Sequence, residues 1–174
     1  MNISSEVMDV PELWDLVNKD KKKVGKTYVR YSENPIPEGL YHITARVWIK
    51  KPDGKLIIVQ RHPTRVDGLL WESTSGAVIH NERSIDGAVR EVFEETGIVI
   101  NPKELIYLGD VVSNDCIEEN YMCKLKHDQC IILQEDEIIN AKFFNVDEFD
   151  KIKSLTTTAA VISFDKFKPF LIKL

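Results

Sequence analysis

The chain has 174 residues, of which 43% are hydrophobic and 29% are charged. This length predicts one globular domain, residues 1–174, with a core that needs no disulfide or structural metal. Its 23 basic and 28 acidic residues give a net charge of −5. An acidic protein gains little from releasing the counterions of a nucleic-acid polymer, so we expect no such partner.

The N-terminus and the cysteines indicate the cellular compartment. The first residues carry acids early and lack the basic and apolar regions of a leader, and no apolar run is long enough to cross a membrane. We therefore expect a cytoplasmic protein with no membrane partner. The cysteines at 116, 123 and 130 form no CxxC pair, and we expect free thiols.

The first half of the chain is predicted to be rich in β-strands. The segment ELWDLVNKDKKKVGKTYVRY favours two short strands around a Lys-rich turn, so residues 1–34 are expected to form a β-hairpin-like extension. In HITARVWIKKPDGKLIIVQRH, two β-rich runs flank Asp53-Gly54, which predicts a second hairpin. The segment LLWESTSGAVI predicts a further strand that is broken near Gly76.

The clearest helix is predicted from Ser84 to Thr96, with Ser84 as its N-cap and Gly97 at its C-terminal end. Strands are predicted in ELIYLGDVVS, YMCKLKH and NAKFFNV. A short helix is expected to start at Asp147, and a longer one is expected near residues 154–167. Because strands outnumber helices and hairpins occur among them, the fold class is α+β with a mixed sheet.

The predicted helix has two different faces. Residues three and four positions apart share a face of a helix, and the apolar face expected to pack on the sheet comprises Ile85, Ala88, Val89, Val92 and Phe93. Glu91, Glu94 and Glu95 fall on the opposite side. Such a charge run is typical of a solvated face, but carboxylate clusters are also what Mg²⁺ prefers when it bridges to phosphates.

Residues 76–98 resemble the signature of the Nudix hydrolase family, which includes the MutT-like hydrolases. The family pattern is Gly, five residues, Glu, seven residues, Arg-Glu, an aliphatic residue, any residue, Glu-Glu, any residue, Gly and an aliphatic residue. Here it is Gly76, AVIHN, Glu82, RSIDGAV and REVFEETGI from Arg90 to Ile98. So many fixed positions at fixed spacing are specific. The resemblance implies an α/β/α sandwich with a catalytic loop–helix–loop, and it covers residues 35–174 better than the first segment.

The resemblance also implies a divalent metal site, with Mg²⁺ as the cofactor and Mn²⁺ as a substitute. By position, Glu91, Glu94 and Glu95 would be the metal ligands and catalytic acids. Gly76 would bring its backbone carbonyl close to the metal or the substrate.

Supporting residues follow from the same resemblance. Arg90 would hydrogen-bond and orient the glutamates as part of the catalytic group, with Glu82 as its partner in the loop, and Gly97 would close the helix. Many members recruit another acid from a later loop. In LQEDEII the candidate is Glu137, with Glu135 and Asp136 as rivals.

The remaining candidates have two interpretations each. Arg61 follows a strand that should end near the site and could bind a substrate phosphate bidentately, or it could be a surface residue. Trp71 could stack on a ring of the substrate, but such a residue is more often part of the core. The histidines lack metal-ligand spacing, and ordinary hydrogen-bonding roles are favoured for His42 and His62.

The function implied is Mg²⁺-dependent cleavage of a diphosphate linkage in a nucleoside diphosphate derivative or a similar small phosphorylated metabolite.

The segment GLYHITARVWIKKPDGKLIIVQRH is also similar to isopentenyl diphosphate isomerase and its hydrolase-like relatives. The isomerase needs a catalytic Cys, which LLWESTSGAVIH lacks. A non-catalytic binding module on the same scaffold is a third alternative, although such modules commonly lose box glutamates. The N-terminal segment could complete a sheet or a homodimer contact.

Overall fold

The computed structural model describes residues 11–173, so residues 1–10 of the expected N-terminal extension lie outside the described residues. Its nine strands in this range are β1 (Leu13–Val17), β2 (Lys23–Val29), β3 (His42–Lys50), β4 (Leu56–Arg61), β5 (Trp71–Glu72), β6 (Ser75–Ala77), β7 (Ile106–Val112), β8 (Cys116–Lys124) and β9 (Ile138–Phe144). The α-helices are α1 (Ser84–Thr96), α2 (Val146–Lys151) and α3 (Thr158–Lys173).

Seven of these strands form one mixed sheet. The order β5-β4-β3-β8-β7 is extended by β6, which pairs with β3, and by β9, which pairs with β4. The pairing of β3 with β8 is parallel, and the other ladders of this sheet are antiparallel. Strands β1 and β2 form a separate antiparallel hairpin. The predicted mixed sheet is therefore confirmed.

The two faces of the sheet carry two cores. Side chains of a strand alternate between faces, and β3 directs Ala45, Val47 and Ile49 toward α1. On the opposite face Trp48 packs with Phe149 of α2 and Phe164 of α3. Helices on both faces of one sheet make the expected α/β/α sandwich. None of the helices within residues 11–173 is long and apolar enough to cross a membrane.

Helix α1 has the predicted bounds, but two details of the prediction are wrong. Arg83 is the N-cap and makes no side-chain cap hydrogen bond, whereas Ser84 is the first helical residue and its Oγ accepts a hydrogen bond from the Tyr121 hydroxyl at 3.1 Å. Phe93 is 56% exposed, because it lies at the edge of the apolar stripe, beyond the part that meets the sheet. Gly97 ends the helix at φ 68, a conformation that glycine adopts without a Cβ penalty.

The last helix is longer and later than expected. It runs from Thr158 to Lys173 rather than over 154–167, and it includes Pro169. The segment before it is a 3-10 turn at Lys153–Leu155. This turn lies where the sequence predicts the start of the helix, so the predicted start comes before the observed one.

The β1–β2 hairpin is fastened to the loop that precedes α1. The backbone N–H of His80 donates to the Leu13 carbonyl at 2.7 Å. The Asp15 carboxylate accepts hydrogen bonds from the Asn81 backbone N–H at 2.8 Å and from Lys23 at 2.7 Å, and it contacts His80 Nδ1 at 2.8 Å. Burial opposes ionisation of Asp15, but these hydrogen bonds outweigh it and lower its pKa to about 2. Asp15 therefore holds the hairpin against the loop as an anion.

We expect Asp15→Asn to loosen the hairpin without unfolding the sheet. A depressed carboxyl pKa contributes stability above the ordinary pKa of 3.8, and this stability is lost as the pH falls toward about 2. Losing it by mutation should cost about 1 kcal/mol of local stability. Hydrogen exchange at neutral pH should then be faster at residues 13–29 and unchanged in β3 and β8. Asp20→Asn, at the exposed hairpin turn, is the control, and unchanged exchange in Asp15→Asn would contradict this role.

Candidate active site

Arg90 lies at the centre of the acidic cluster. Its Nε and one Nη donate to the two carboxylate oxygens of Glu82 at 2.9 and 3.0 Å. Its other Nη donates to Glu91 at 2.6 Å and to Glu94 at 2.9 Å, and the Ala77 carbonyl accepts a further hydrogen bond at 2.9 Å. Burial works against the charge, but the hydrogen bonds to Glu82 and the charge of Glu91 raise the pKa of Arg90. The guanidinium of Arg90 therefore joins three segments: β6, the loop between β6 and α1 that carries Glu82, and α1 itself.

Gly76 allows β6 to approach α1 closely. A Cβ at this position would overlap the carboxylate of Glu91. Any other residue would therefore push Glu91 away from the cavity or move β6 away from β3, with which Gly76 pairs opposite Ala45.

The carboxylate of Glu95 is buried and that of Glu91 is partly buried, so neither is fully solvated. Burial raises the pKa of Glu91 to about 7, although the Arg90 guanidinium opposes this shift. Glu95 is 2% exposed, and its pKa is raised well above the ordinary range by burial and by the nearby charges of Glu72 and Glu91. Its Oε2 meets no hydrogen-bond donor among the described residues. The simple interpretation of this run as a solvated acidic face therefore does not hold for Glu95.

An unpartnered buried carboxylate oxygen fits a divalent cation. Burying such an oxygen without a partner costs free energy, and Mg²⁺ prefers oxygen ligands of this kind. As placed, no three acidic, His or Cys side chains within residues 11–173 form a ready-made metal cluster. Arg90 already binds an oxygen of both Glu91 and Glu94, whereas Glu95 keeps its free oxygen.

The three box glutamates open onto one cavity of about 130 Å³. The charged residues that line it are Glu12, Arg30, Arg61, Arg65, Arg90, Glu91, Glu94, Glu95 and Glu137. Arg61, at the end of β4, forms an ion pair with Glu72 and donates from Nε to the Val66 carbonyl at 2.7 Å. The structure thus places Arg61 at the cavity rather than on a remote surface.

Glu137 faces the box glutamates from the loop before β9. Its carboxylate accepts a hydrogen bond from Arg65 at 2.8 Å, and its backbone carbonyl accepts one from the His62 N–H at 2.7 Å. Its charge contributes to the raised pKa values of Glu91 and Glu95. The rivals Glu135 and Asp136 do not line this cavity, so the structure brings only Glu137 of the three to the box.

A buried cation beneath the cavity was not found by sequence reasoning. Arg46 on β3 is 2% exposed and lies 2.9 Å from the Glu118 carboxylate and 3.6 Å from that of Glu72. It also donates to the Ser73 carbonyl at 3.0 Å. Burial disfavours its charge, but the charges of Glu118 and Glu72 raise its pKa. Arg46 therefore balances acids directly under the site.

The cavity also receives residues that carry no sequence motif. Glu12 and Arg30 come from the hairpin, and Arg65 comes from the loop after β4. The only sequence signal for Glu12 and Arg30 is that each is a charged residue at the end of a predicted strand, and Arg65 has no such signal. Trp71, in contrast, is buried and packs edge-on against Phe144, which supports the core interpretation.

The histidines lie outside this cavity. His62 Nδ1 lies 2.7 Å from the Thr64 hydroxyl, which fits an ordinary polar role. His42 instead stacks on Trp14, with ring centroids 4.2 Å apart, and its Nδ1 is buried without a hydrogen-bond partner among the described residues. Nδ1 therefore makes no hydrogen bond among the described residues, and the hydrogen-bonding role expected for His42 stays a prediction.

Comparisons with known proteins agree with this architecture. A family model described as the NUDIX domain matches residues 40–164. An uncharacterized Nudix hydrolase of Clostridium acetobutylicum is 29% identical over 151 residues, which cover 79% of this chain and 71% of the relative. A solved structure from Deinococcus radiodurans has a TM-score of 0.70 at 19% identity, covering 87% of this chain and 96% of that one.

A second solved structure is a bifunctional NMN adenylyltransferase/ADP ribose pyrophosphatase from Francisella tularensis, complexed with AMP and a Mn ion. It has a TM-score of 0.63 at 16% identity, covering 80% of this chain and 44% of that protein. At this identity the likeness concerns the fold.

The range that the family model matches runs from the start of β3 into α3 and contains the whole segment 76–98. It therefore includes Arg90, the box glutamates and the loop that carries Glu137. Since this range is well over half of the chain, and the relative is itself a Nudix hydrolase, the chain belongs to the Nudix family and is a Nudix hydrolase.

Proposed function

We propose that this Nudix hydrolase uses Mg²⁺ to cleave a diphosphate linkage in a nucleoside diphosphate derivative, with Mn²⁺ as a substitute. The observation that carries the proposal is the buried, unpartnered oxygen of Glu95 at a cavity that also contains Arg61 and Arg65. Carboxylate oxygens suit a hard cation, and guanidinium groups suit phosphate oxygens. A diphosphate bridged to the protein by a cation would use both kinds of group, the carboxylates through the cation and the guanidinium groups directly.

The roles of the acids follow from their positions. Glu91, Glu94 and Glu95 would hold the metal, since all three line the same cavity. When bound, the metal would neutralise phosphate oxygens and lower the pKa of a water molecule. Arg90 keeps Glu91 and Glu94 oriented through hydrogen bonds of 2.6 and 2.9 Å. Positioning of this kind supplies much of the catalysis in phosphoryl transfer.

Glu137 and Arg61 would act on the substrate side. Glu137 would take a proton from the attacking water or add a metal contact, because it faces the box glutamates across the cavity. Arg61 would bind a phosphate oxygen, with Glu72 holding the other side of its guanidinium. Both groups are within the matched family range.

The placement of the cysteines argues against the isomerase alternative. That reaction needs a catalytic thiol beside the substrate, and none of the three cysteines lines the cavity. Burial raises the thiol pKa of both Cys116 and Cys123 to about 11, which disfavours the reactive thiolate. Retention of every box glutamate argues against a non-catalytic binding module.

A nucleoside diphosphate derivative is the preferred substrate class. The Francisella tularensis protein of similar fold is named as an ADP ribose pyrophosphatase and was solved with AMP and a Mn ion. Those printed properties belong to that protein, and they motivate the class proposed here.

A substrate panel tests the proposed function directly. We expect phosphate or nucleotide release from at least one of ADP-ribose, GDP-mannose, a nucleoside triphosphate and a dinucleoside polyphosphate in the presence of Mg²⁺. Release should stop with EDTA and return with Mg²⁺ or Mn²⁺. Proton exchange into isopentenyl diphosphate without phosphate release would instead identify the isomerase.

We expect Glu95→Gln to separate activity from stability. It should lower kcat about 10²-fold or more, because it removes a proposed direct metal ligand. The apo variant should be at least as stable as wild type at pH 8. A raised carboxyl pKa destabilises the fold as the pH rises above the ordinary value of 4.5, so the difference should shrink near pH 4.5.

The metal response provides an independent measurement for the same variant. A cation that binds only the folded state raises the melting temperature. Wild type should therefore gain stability with Mg²⁺, and Glu95→Gln should gain much less. Glu38→Gln, at an exposed position, is the charge-matched control. Full activity and an unchanged Mg²⁺ response in Glu95→Gln would rule out the proposed ligand.

Glu137→Gln tests the acid contributed by the late loop. If Glu137 takes the proton or contacts the metal, kcat should fall about 10²-fold. Glu135 lies outside the cavity, so Glu135→Gln should retain kcat within about twofold. An equal loss of kcat in Glu135→Gln or Asp136→Asn would move the assignment to that residue.

A further inference from the structure

A second cavity adjoins the catalytic one on the side of the hairpin. It has a volume of about 470 Å³, and we call it the distal compartment. Its walls are Glu12, Arg30 and Tyr31 from the hairpin side and Arg65, Asp136 and Glu137 from the opposite loops, with Pro11 at one end.

The distal compartment and the catalytic cavity form one continuous cleft. Glu12, Arg30, Arg65 and Glu137 line both. A substrate whose diphosphate lies at the box glutamates can therefore extend between Arg30 and Arg65 into the distal compartment. The group that enters is the part of the substrate beyond the scissile linkage.

The charges of the distal compartment do not favour another phosphate. Arg30 is paired with Glu12 at 2.6 Å, and Arg65 is paired with Glu137 at 2.8 Å. Asp136 adds a third carboxylate against these two guanidinium groups. An additional anion would have to displace a carboxylate from each arginine, whereas an uncharged group with N–H donors could use the carboxylates as acceptors.

Tyr31 presents a flat surface to this space. Its side chain is 77% exposed, and its backbone has φ 63, which is uncommon for a bulky residue. The guanidinium carbon of Arg30 lies 4.8 Å from the centroid of the Tyr31 ring. A strained backbone at the rim of a cleft suggests a functional constraint, and an exposed aromatic ring is what a base stacks on.

We infer that the distal compartment binds the nucleobase of the substrate, with the base stacked on Tyr31 and its polar edge toward the carboxylates. This inference rests on the proposed function, since it assigns a binding site to the base of the nucleoside diphosphate derivative that the enzyme would cleave. The hairpin is thereby a specificity element, and Tyr31 selects nucleotides over diphosphates that lack a base.

Tyr31→Asn is the appropriate variant, because asparagine tolerates the left-handed backbone and removes the ring. For whichever of ADP-ribose and GDP-mannose is turned over faster, KM should rise at least about fivefold with kcat within about twofold. The binding affinity for a diphosphate without a base, such as isopentenyl diphosphate, should not change.

Two control variants isolate the ring. Tyr31→Phe keeps the stacking surface and should retain the wild-type KM. Lys26→Ala removes an exposed cation from β2 of the same hairpin and outside both cavities, and it should also be neutral. An unchanged KM in Tyr31→Asn, or an equal loss of affinity for ligands with and without a base, would overturn the inference.

A binding measurement separates this inference from the proposed function. Calorimetric titration of the wild type and Tyr31→Asn with AMP and GMP needs no turnover. Weaker binding by the variant, in a protein that hydrolyses nothing on the panel, would keep the base site and reject the proposed cleavage of nucleoside diphosphate derivatives. Hydrolysis only of diphosphates without a base, or nucleotide binding that does not depend on Tyr31, would reject the base site.

Discussion

The arrangement of the site depends on one guanidinium that is shared among three carboxylates. Glu82 comes from the loop, and Glu91 and Glu94 come from the helix, and Arg90 binds all three. Like charges at this spacing repel one another, and the planar, fixed donors of arginine hold them in one geometry. Because Arg90 also binds the Ala77 carbonyl, the same group ties the strand β6 to the helix. Lysine, as a point charge, could not make this set of contacts.

Below this layer, the protein places charge where a core would normally be apolar. Arg46 is buried between Glu72 and Glu118, and Glu95 is buried beside them with one free oxygen. Breaking a buried ion pair by removing one partner is costly, because it leaves an uncompensated charge. The sheet under the cavity therefore carries paired charges, and Glu95 keeps one carboxylate oxygen without a hydrogen-bond partner among the described residues.

The elements that carry local sequence signals could be predicted from the sequence alone. Helix α1 was predicted to its bounds, because its periodic apolar face is closed by Gly97, and the mixed sheet followed from hairpin signals such as Asp53-Gly54. Periodicity alone could not predict the burial of Glu95, since a charged residue is counted as solvated unless the opposing wall is known. The same limit made Phe93 an expected core residue, although it lies at the exposed edge of the stripe.

The cavity walls could not be predicted for a different reason. Glu12, Arg30, Arg65 and Glu137 are distant in sequence, and they meet only after the hairpin docks on the loop before α1. No local pattern encodes that docking, which depends on tertiary hydrogen bonds such as those of Asp15. The family motif identified the side of the cleft that carries the box glutamates, and the structure supplied the opposite wall.

The parallel pairing of β3 with β8 has a consequence for how the molecule folds. His42 pairs with Cys116 and Lys50 pairs with Lys124, so the chain segment between these strands, including all of α1, forms one large closed loop. Closing such a loop costs entropy before its contacts contribute, and non-local pairings of this kind slow folding. The helix can form early from its own sequence, but Arg46 on β3 meets Glu118 on β8 only once the loop has closed. The box is therefore encoded in one short stretch of sequence, whereas its support requires the non-local pairing of β3 with β8.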